Sequence, residues 1–212
     1  MSSREKILRK LREGKPPFPE ILKPDLYRPM VAVKDQSQEA LYSLFVEQAQ
    51  TASCVIHQAK NSKEAIDIVL GLIGKEKSIS SWEPEHIPIP GLAEVLDNSG
   101  ITCVGQDANV RFGLTGVDAA LAATGSIVLL SGEGRFRASS LLPPVHIAVM
   151  TADQIMPDLE SWWAKQKLAG LEHFRQHSNI VVITGPSRTA DIAMELVMGM
   201  HGPRELHVVL IG

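Results

Sequence analysis

Apolar and polar positions along this chain switch between two periods, and the switches mark its elements. Strand-length apolar segments recur at Cys54-Val-Ile56, Ile127 to Leu130, Val145 to Val149, Ile180 to Ile183 and Leu206 to Ile211, with further strands expected near Ser78 to Ser81 and Thr102 to Val104. A run such as Ile180-Val-Val-Ile183 is apolar on both faces, which predicts a strand of a parallel sheet covered by helices. Between most of these segments the apolar positions fall at helical spacing. Ser37 offers an N-cap for a helix reaching about Gln50, with Leu41, Leu44 and Phe45 on its inner face, and a second helix spans Ser62 to about Gly74. Val117-Asp-Ala-Ala-Leu-Ala-Ala123 reads as a further short helix of good helix formers, with Asp118 in its first turn and Gly125 as its left-handed cap. Strands and helices in alternation predict a doubly wound α/β fold, a largely parallel sheet with helices on both faces.

The N-terminus departs from this pattern. Residues 3 to 13 alternate charge with Ile7, Leu8 and Leu11 at helical spacing, and Gly14 stops the helix ahead of Pro16-Pro17. Six Lys or Arg from Arg4 to Lys15 face only Glu5 and Glu13. The expectation is an amphipathic helix lying on its own domain, the alternative an arm that packs on a partner. With the proline-rich stretch Gly14 to Pro29, this divides the chain into an N-terminal arm, residues 1–35, and a single α/β domain, residues 36–212. At 212 residues the chain can bury one sizeable core.

A net charge of -3 gives no basic face for nucleic acid, and the longest apolar runs fall far short of a membrane span. A charged start without an apolar signal core points to the cytoplasm. Cys54 and Cys103 stand apart without metal spacing, so neither a metal site nor a four-cysteine iron–sulfur cluster is expected within one chain. The chain has no Gly-Lys-Ser phosphate loop, no His-Glu-x-x-His helix and no Gly-x-Ser-x-Gly elbow. Gly132-Glu-Gly134-Arg-Phe-Arg137 lacks the third glycine of a dinucleotide fingerprint, which leaves Arg135 and Arg137 as anion hooks or solvated charges.

Candidate chemistry gathers in three places. After Ile183 the chain breaks into Thr184-Gly-Pro-Ser187-Arg188-Thr189-Ala-Asp191, hydroxyls, a guanidinium and a carboxylate where ligands collect at the carboxyl ends of parallel strands. Thr115 and Gly116 would open the predicted short helix, where free N–H groups can hold a carboxylate or phosphate, and Thr124 and Ser126 would add hydroxyls from its far end. Capping is the alternative role for all of these. His146, after Pro143-Pro144, is either a hydrogen-bonded core histidine or an acid/base group. If the three places meet, Thr115, Gly116, Asp118, Thr124, Gly125, Ser187, Arg188, Thr189 and Asp191 form one anion crevice, with Arg188 as a bidentate fork.

Three of these segments carry a resemblance. Thr115-Gly-Val-Asp-Ala-Ala-Leu-Ala-Ala-Thr-Gly-Ser-Ile-Val-Leu129, Leu141-Leu-Pro-Pro-Val-His-Ile-Ala-Val149, and Thr184 to Asp191 followed by Met198-Gly-Met-His-Gly-Pro-Arg-Glu-Leu-His-Val-Val-Leu210 resemble, in order, the motifs of the lactate-utilization protein C family, or LUD domain. The resemblance implies a fold like the NagB/RpiA/CoA-transferase group. It implies a cytoplasmic role in oxidising L-lactate to pyruvate beside separate iron–sulfur subunits. With two cysteines and no nucleotide-redox fingerprint, this chain is expected to be a non-redox component without a cofactor of its own, one that binds a small anionic ligand or organises its partners. Where the family has Glu before Thr124-Gly125, this chain has Ala123, so chemistry resting on that carboxylate is not carried over. Two other readings remain: a free-standing enzyme of the same fold acting on a phosphorylated or acyl substrate, and a purely structural subunit.

Overall fold

In the computed structural model, which describes residues 2–13, 30–105, 107, 109–190 and 196–212, the apolar runs assemble into two sheets rather than one. The first is wholly parallel. It comprises β1 (Val55–Ala59), β2 (Ser78–Ser81), β3 (Thr102–Val104), β4 (Phe112–Gly116), β7 (Val145–Thr151) and β12 (Glu205–Ile211), in the order β1-β12-β7-β4-β2-β3. Its middle strands β4, β7 and β12 are buried nearly throughout, as expected for a sheet covered on both faces. The second sheet joins β5 (Ala119–Leu121), β6 (Ser126–Ser131), β8 (Ile155–Met156) and β9 (Asn179–Ile183) in the order β8-β5-β6-β9, with β6 antiparallel to both neighbours. A hairpin of β10 (Arg188–Ala190) and β11 (Leu196–Met198) precedes β12.

The helices begin where the sequence provides caps. Ser37 accepts from the Ala40 amide at the start of α2 (Gln38–Thr51), and Asn61 accepts from that of Glu64 at the start of α3 (Ser62–Ile73). α2 packs against β1 and β8, and α3 against β1 and β12. α4 (Leu92–Asn98) adds Leu92 and Leu96 to the core, and α5 (Leu159–Leu168) adds Trp162 beneath the second sheet, with α6 (Glu172–Gln176) following.

The predicted parallel α/β sheet is present, and three local expectations are corrected. Val117 to Ala123 is not a helix: β4 runs through Thr115 and Gly116 and passes into β5. Ala120 and Ala122 face the main core while Ala119 and Leu121 face Trp162, so burial on both sides at a period of two overrides the helix propensity of alanine. Ile180 to Ile183 is not in the parallel sheet either. It forms the edge strand β9, with Ile180 and Val182 exposed, because only one of its faces is covered. Finally, α1 (Ser3–Glu13) forms as predicted but buries no face, every one of its residues being exposed. The Gly14 to Pro29 stretch and Asp191 lie outside the described residues.

Candidate functional site

The carboxyl end of α2 is the anchor on which two of the motif segments meet. Gly125 turns between β5 and β6 with φ +62, and a Cβ there would collide with the amide nitrogen of Ala49. Gly185 follows β9 with φ +78, and a Cβ there would collide with the carbonyl of Ala52. Only glycine permits both the left-handed backbone and the close approach. The Arg188 Nη2 then donates to the Ala52 carbonyl at 2.6 Å, placing a cation at the negative end of the helix. Between the two glycines, Thr124 Oγ1, Ser126 Oγ and Thr184 Oγ1 form a hydroxyl chain with steps of 2.7 Å and 2.7 Å.

Beside β9 opens a crevice of about 320 Å³. Arg137, Ser140, Thr184, Ser187, Arg188 and His201 supply its polar lining, Leu141 and Val182 part of its apolar lining, and no carboxylate lines it among the described residues. The Ser187 backbone donates to the Pro203 carbonyl at 2.8 Å and its Oγ accepts from the His201 amide at 3.3 Å, so the serine is fixed by the turn before β12. Two guanidiniums and an imidazole, with no acid beside them among the described residues, make this a place for an anion. A second cavity of about 310 Å³ also borders β9, and Ala123, Thr124, Ser126, Asp158 and Glu160 contribute to it. Val182 and Thr184 line both hollows. Asp158 is the N-cap of α5, accepting from Ser161 at 2.7 Å.

The expected single patch therefore does not form. Ser187 and Arg188 share the crevice, Thr124 faces the second cavity, and Thr115 reaches neither. Thr115 is fully buried within β4, its Oγ1 2.9 Å from His146 Nε2 on β7. His146 is 1% exposed, and burial pushes its imidazole down to about 3, so it is neutral and enclosed by the core. Gly116 lies against the His86 carbonyl, where a side chain would not fit. Asp118 accepts from the Leu130 amide at 2.7 Å and from Arg135 at 2.6 Å, and that guanidinium lies over the Trp82 ring, 5.3 Å from its centroid. Asp118 and Arg135 are thus paired with each other rather than open to a ligand. Thr189 sits in β10 opposite Val197.

Two clusters escaped sequence reasoning. Glu83, Glu85 and His86, just after β2, hold three ligand-type atoms within 4.8 Å of one another, the one such group among the described residues able to hold a metal ion. Their spacing, two residues and one, was a visible signal. His57 on β1 and His207 on β12 stack with centroids 5.3 Å apart and ring nitrogens at 3.0 Å, and Glu205 lies 3.2 Å from His207. Burial, then proximity to His207, holds His57 below its ordinary value. Only the alternation Glu205-x-His207 hinted at that cluster, because its other half is 150 residues away.

Comparison with known proteins matches this arrangement. A family model for the LUD domain covers residues 102–211, which include β3 to β12. Lactate utilization protein C of Halalkalibacterium halodurans is 32% identical over 190 residues, spanning 84% of this chain and 82% of that protein. Its counterpart in a Geobacillus species is 35% identical over 178 residues, 74% of this chain and 71% of that protein. The crystal structure of a duf162 family protein from Deinococcus radiodurans shares the fold, with a TM-score of 0.57 at 18% identity over 84% of this chain and 100% of that one. Among the described residues no helix is long and apolar enough to cross a membrane. The motif segments, the family model and the similarity to these relatives over most of their length agree: the chain belongs to the lactate utilization protein C, or LUD domain, family.

Proposed function

We propose that this chain is the non-redox component of a cytoplasmic system that oxidises L-lactate to pyruvate, and that the crevice beside β9 binds the small carboxylate. The observation that carries the reading is the crevice's lining: Arg137, Arg188 and His201 with the hydroxyls of Ser140, Thr184 and Ser187, and no opposing acid among the described residues. A carboxylate needs a planar fork of donors, and an α-hydroxyl or α-keto oxygen needs a neutral donor beside it. A guanidinium from Arg137 and the N–H groups of Arg188 not spent on Ala52 supply the first, and Ser187 and Thr184 the second. At about 320 Å³ the crevice sits at the small end of ligand pockets, suited to a compact acid rather than a dinucleotide.

The relatives' name, lactate utilization protein C, supports the substrate class. Two cysteines, Cys54 buried and Cys103 elsewhere, cannot supply the four thiolates of a cluster within one chain. Electrons are therefore assigned to separate iron–sulfur subunits, and this chain carries no redox cofactor of its own. Its part is to bind and orient the acid for them.

Titration calorimetry of the purified chain with L-lactate and with pyruvate tests the reading. Saturable binding is expected, weakened about tenfold by Arg137→Ala, the loss of one charge-assisted contact. Heats of dilution alone for both acids, or binding that Arg137→Ala leaves unchanged, would overturn it.

A further inference from the structure

α1 is a basic amphipathic helix that buries none of its residues against the described part of its own domain. Ile7, Leu8 and Leu11 are 60%, 39% and 72% exposed, and no residue of the helix is buried. Its five cations against two carboxylates give it a formal charge of +3 in a chain of -3, which leaves -6 on the remainder.

A surface of the opposite kind lies around α4. Two hollows of about 630 Å³ and 520 Å³ flank this helix and share Pro84 and Ala93. Their floors are apolar, with Ile89, Leu92 and Leu96 beneath, and Glu85, Glu94 and Asp97 stand along them. Among the described residues no Lys or Arg lines either hollow. An apolar stripe edged with cations meets an apolar trough edged with carboxylates, the arrangement by which a groove recognises an amphipathic helix.

We propose that the trough around α4 seats α1 of a second copy of this chain, each copy lending its helix to the other. The charge on the two surfaces argues for this occupant, because the chain itself presents both halves of the match. A reciprocal exchange obeys twofold symmetry and closes on itself, so two helices are seated per dimer and no further copies add. The acid-binding crevice lies beside β9 and shares no lining residue with either hollow.

Light scattering and disulfide trapping test the exchange. The full chain is expected to be a dimer that dissociates as salt rises. Deleting residues 2–13, or Glu94→Lys with Asp97→Lys, should give a folded monomer, and adding Arg9→Glu with Arg12→Glu to the groove variant should restore the dimer. Leu11 is exposed, so Leu11→Cys should fold, and Cys103 lines one hollow. Under oxidised glutathione this variant should form a covalent dimer that Cys103→Ser abolishes. A full chain monomeric at every concentration, a dimer indifferent to the deletion, or a cross-link closed within one chain would each overturn the proposal. The last of these would seat α1 on its own groove.

Discussion

Two pairings of a hydroxyl residue with a basic residue occupy motif segments of this chain, and they have opposite fates. Thr115 and His146 bond to each other inside the central sheet, fully buried, and the imidazole is neutral. Ser187 and Arg188 lie at the rim of the second sheet, where the serine is fixed by backbone bonds and the guanidinium is exposed, with one N–H committed to the end of α2. The residue types are alike; what differs is what remains unspent. A polar group whose partner is already in the protein stabilises the fold, and one with donors left over can serve a ligand. The same distinction separates Asp118, consumed by Arg135 and Leu130, from Arg137 on the crevice.

The largest expected effect breaks the support common to both cavities. Gly125→Ala adds left-handed strain and a collision with the backbone of α2, and should cost roughly 2–6 kcal/mol. Gly71→Ala is the control, since Gly71 in α3 has nothing within 4 Å of an added Cβ and should gain about 0.5–1 kcal/mol. Urea denaturation measures both; equal midpoints for the two variants would show that the turn does not rest on α2.

A smaller effect isolates the buried pair. Thr115→Val keeps the shape but leaves His146 Nε2 without its partner, at about 1–3 kcal/mol, and should leave acid binding in the crevice untouched. The same pair gives a pH dependence with a definite sign. Burial holds His146 down to about 3 in the folded chain, against about 6.5 in an unfolded one. The unfolded chain takes up the proton first, so this contribution to stability is complete above about pH 6.5 and is lost as pH falls toward 3, at up to about 1.4 kcal/mol per unit. His146→Gln removes the titration, and its urea midpoints should fall less steeply across that window. Parallel profiles for both proteins would assign the acid sensitivity to another group.

These contrasts also mark what the sequence could convey. Apolar runs located most strands, the Ser37 cap located the start of α2 and helical spacing located α3, since these are signals within a few residues. β4 and β5 were missed because glycine and alanine stand where the chain packs closest, Gly113 against Ser139 and Gly116 against His86, and small residues carry little periodicity. The Ser187-Arg188 loop was legible as polar chemistry after an apolar run. Its neighbours were not: Arg137 and His201 reach the crevice only through the pairing of β6 with β9 and the turn before β12. The burial that turns Thr115 and His146 inward is a property of the whole sheet.

Within the crevice, two arginine variants should separate. Arg137→Ala is expected to lower acid affinity with little change in stability. Arg188→Lys loses both the fork toward the ligand and its geometry toward Ala52, so it should lower affinity about tenfold and stability by up to about 1 kcal/mol. Calorimetry with thermal melts of the same samples checks this. If Arg188→Lys changed stability alone, Arg188 would belong with His146 among the structural residues.

The smallest effect is read at the boundary between the two regions, through Cys54. This thiol follows α2; burial pushes it up to about 11, while the Gly185 amide and then the Arg188 charge pull it down. Relative to an ordinary thiol near 9, its thiolate at pH 8 should be scarcer by roughly a hundredfold, so in the chain lacking residues 2–13, where no helix can cover Cys103, a disulfide reagent should titrate Cys103 first and Cys54 only slowly. Arg188→Lys keeps the charge and should leave that slow rate almost unchanged. Arg188→Met removes the charge and should slow it further, by less than about tenfold, because the larger contribution is burial. A faster reaction in Arg188→Met would mean that the guanidinium holds the loop shut over Cys54, and that its bond to Ala52 matters more than its field.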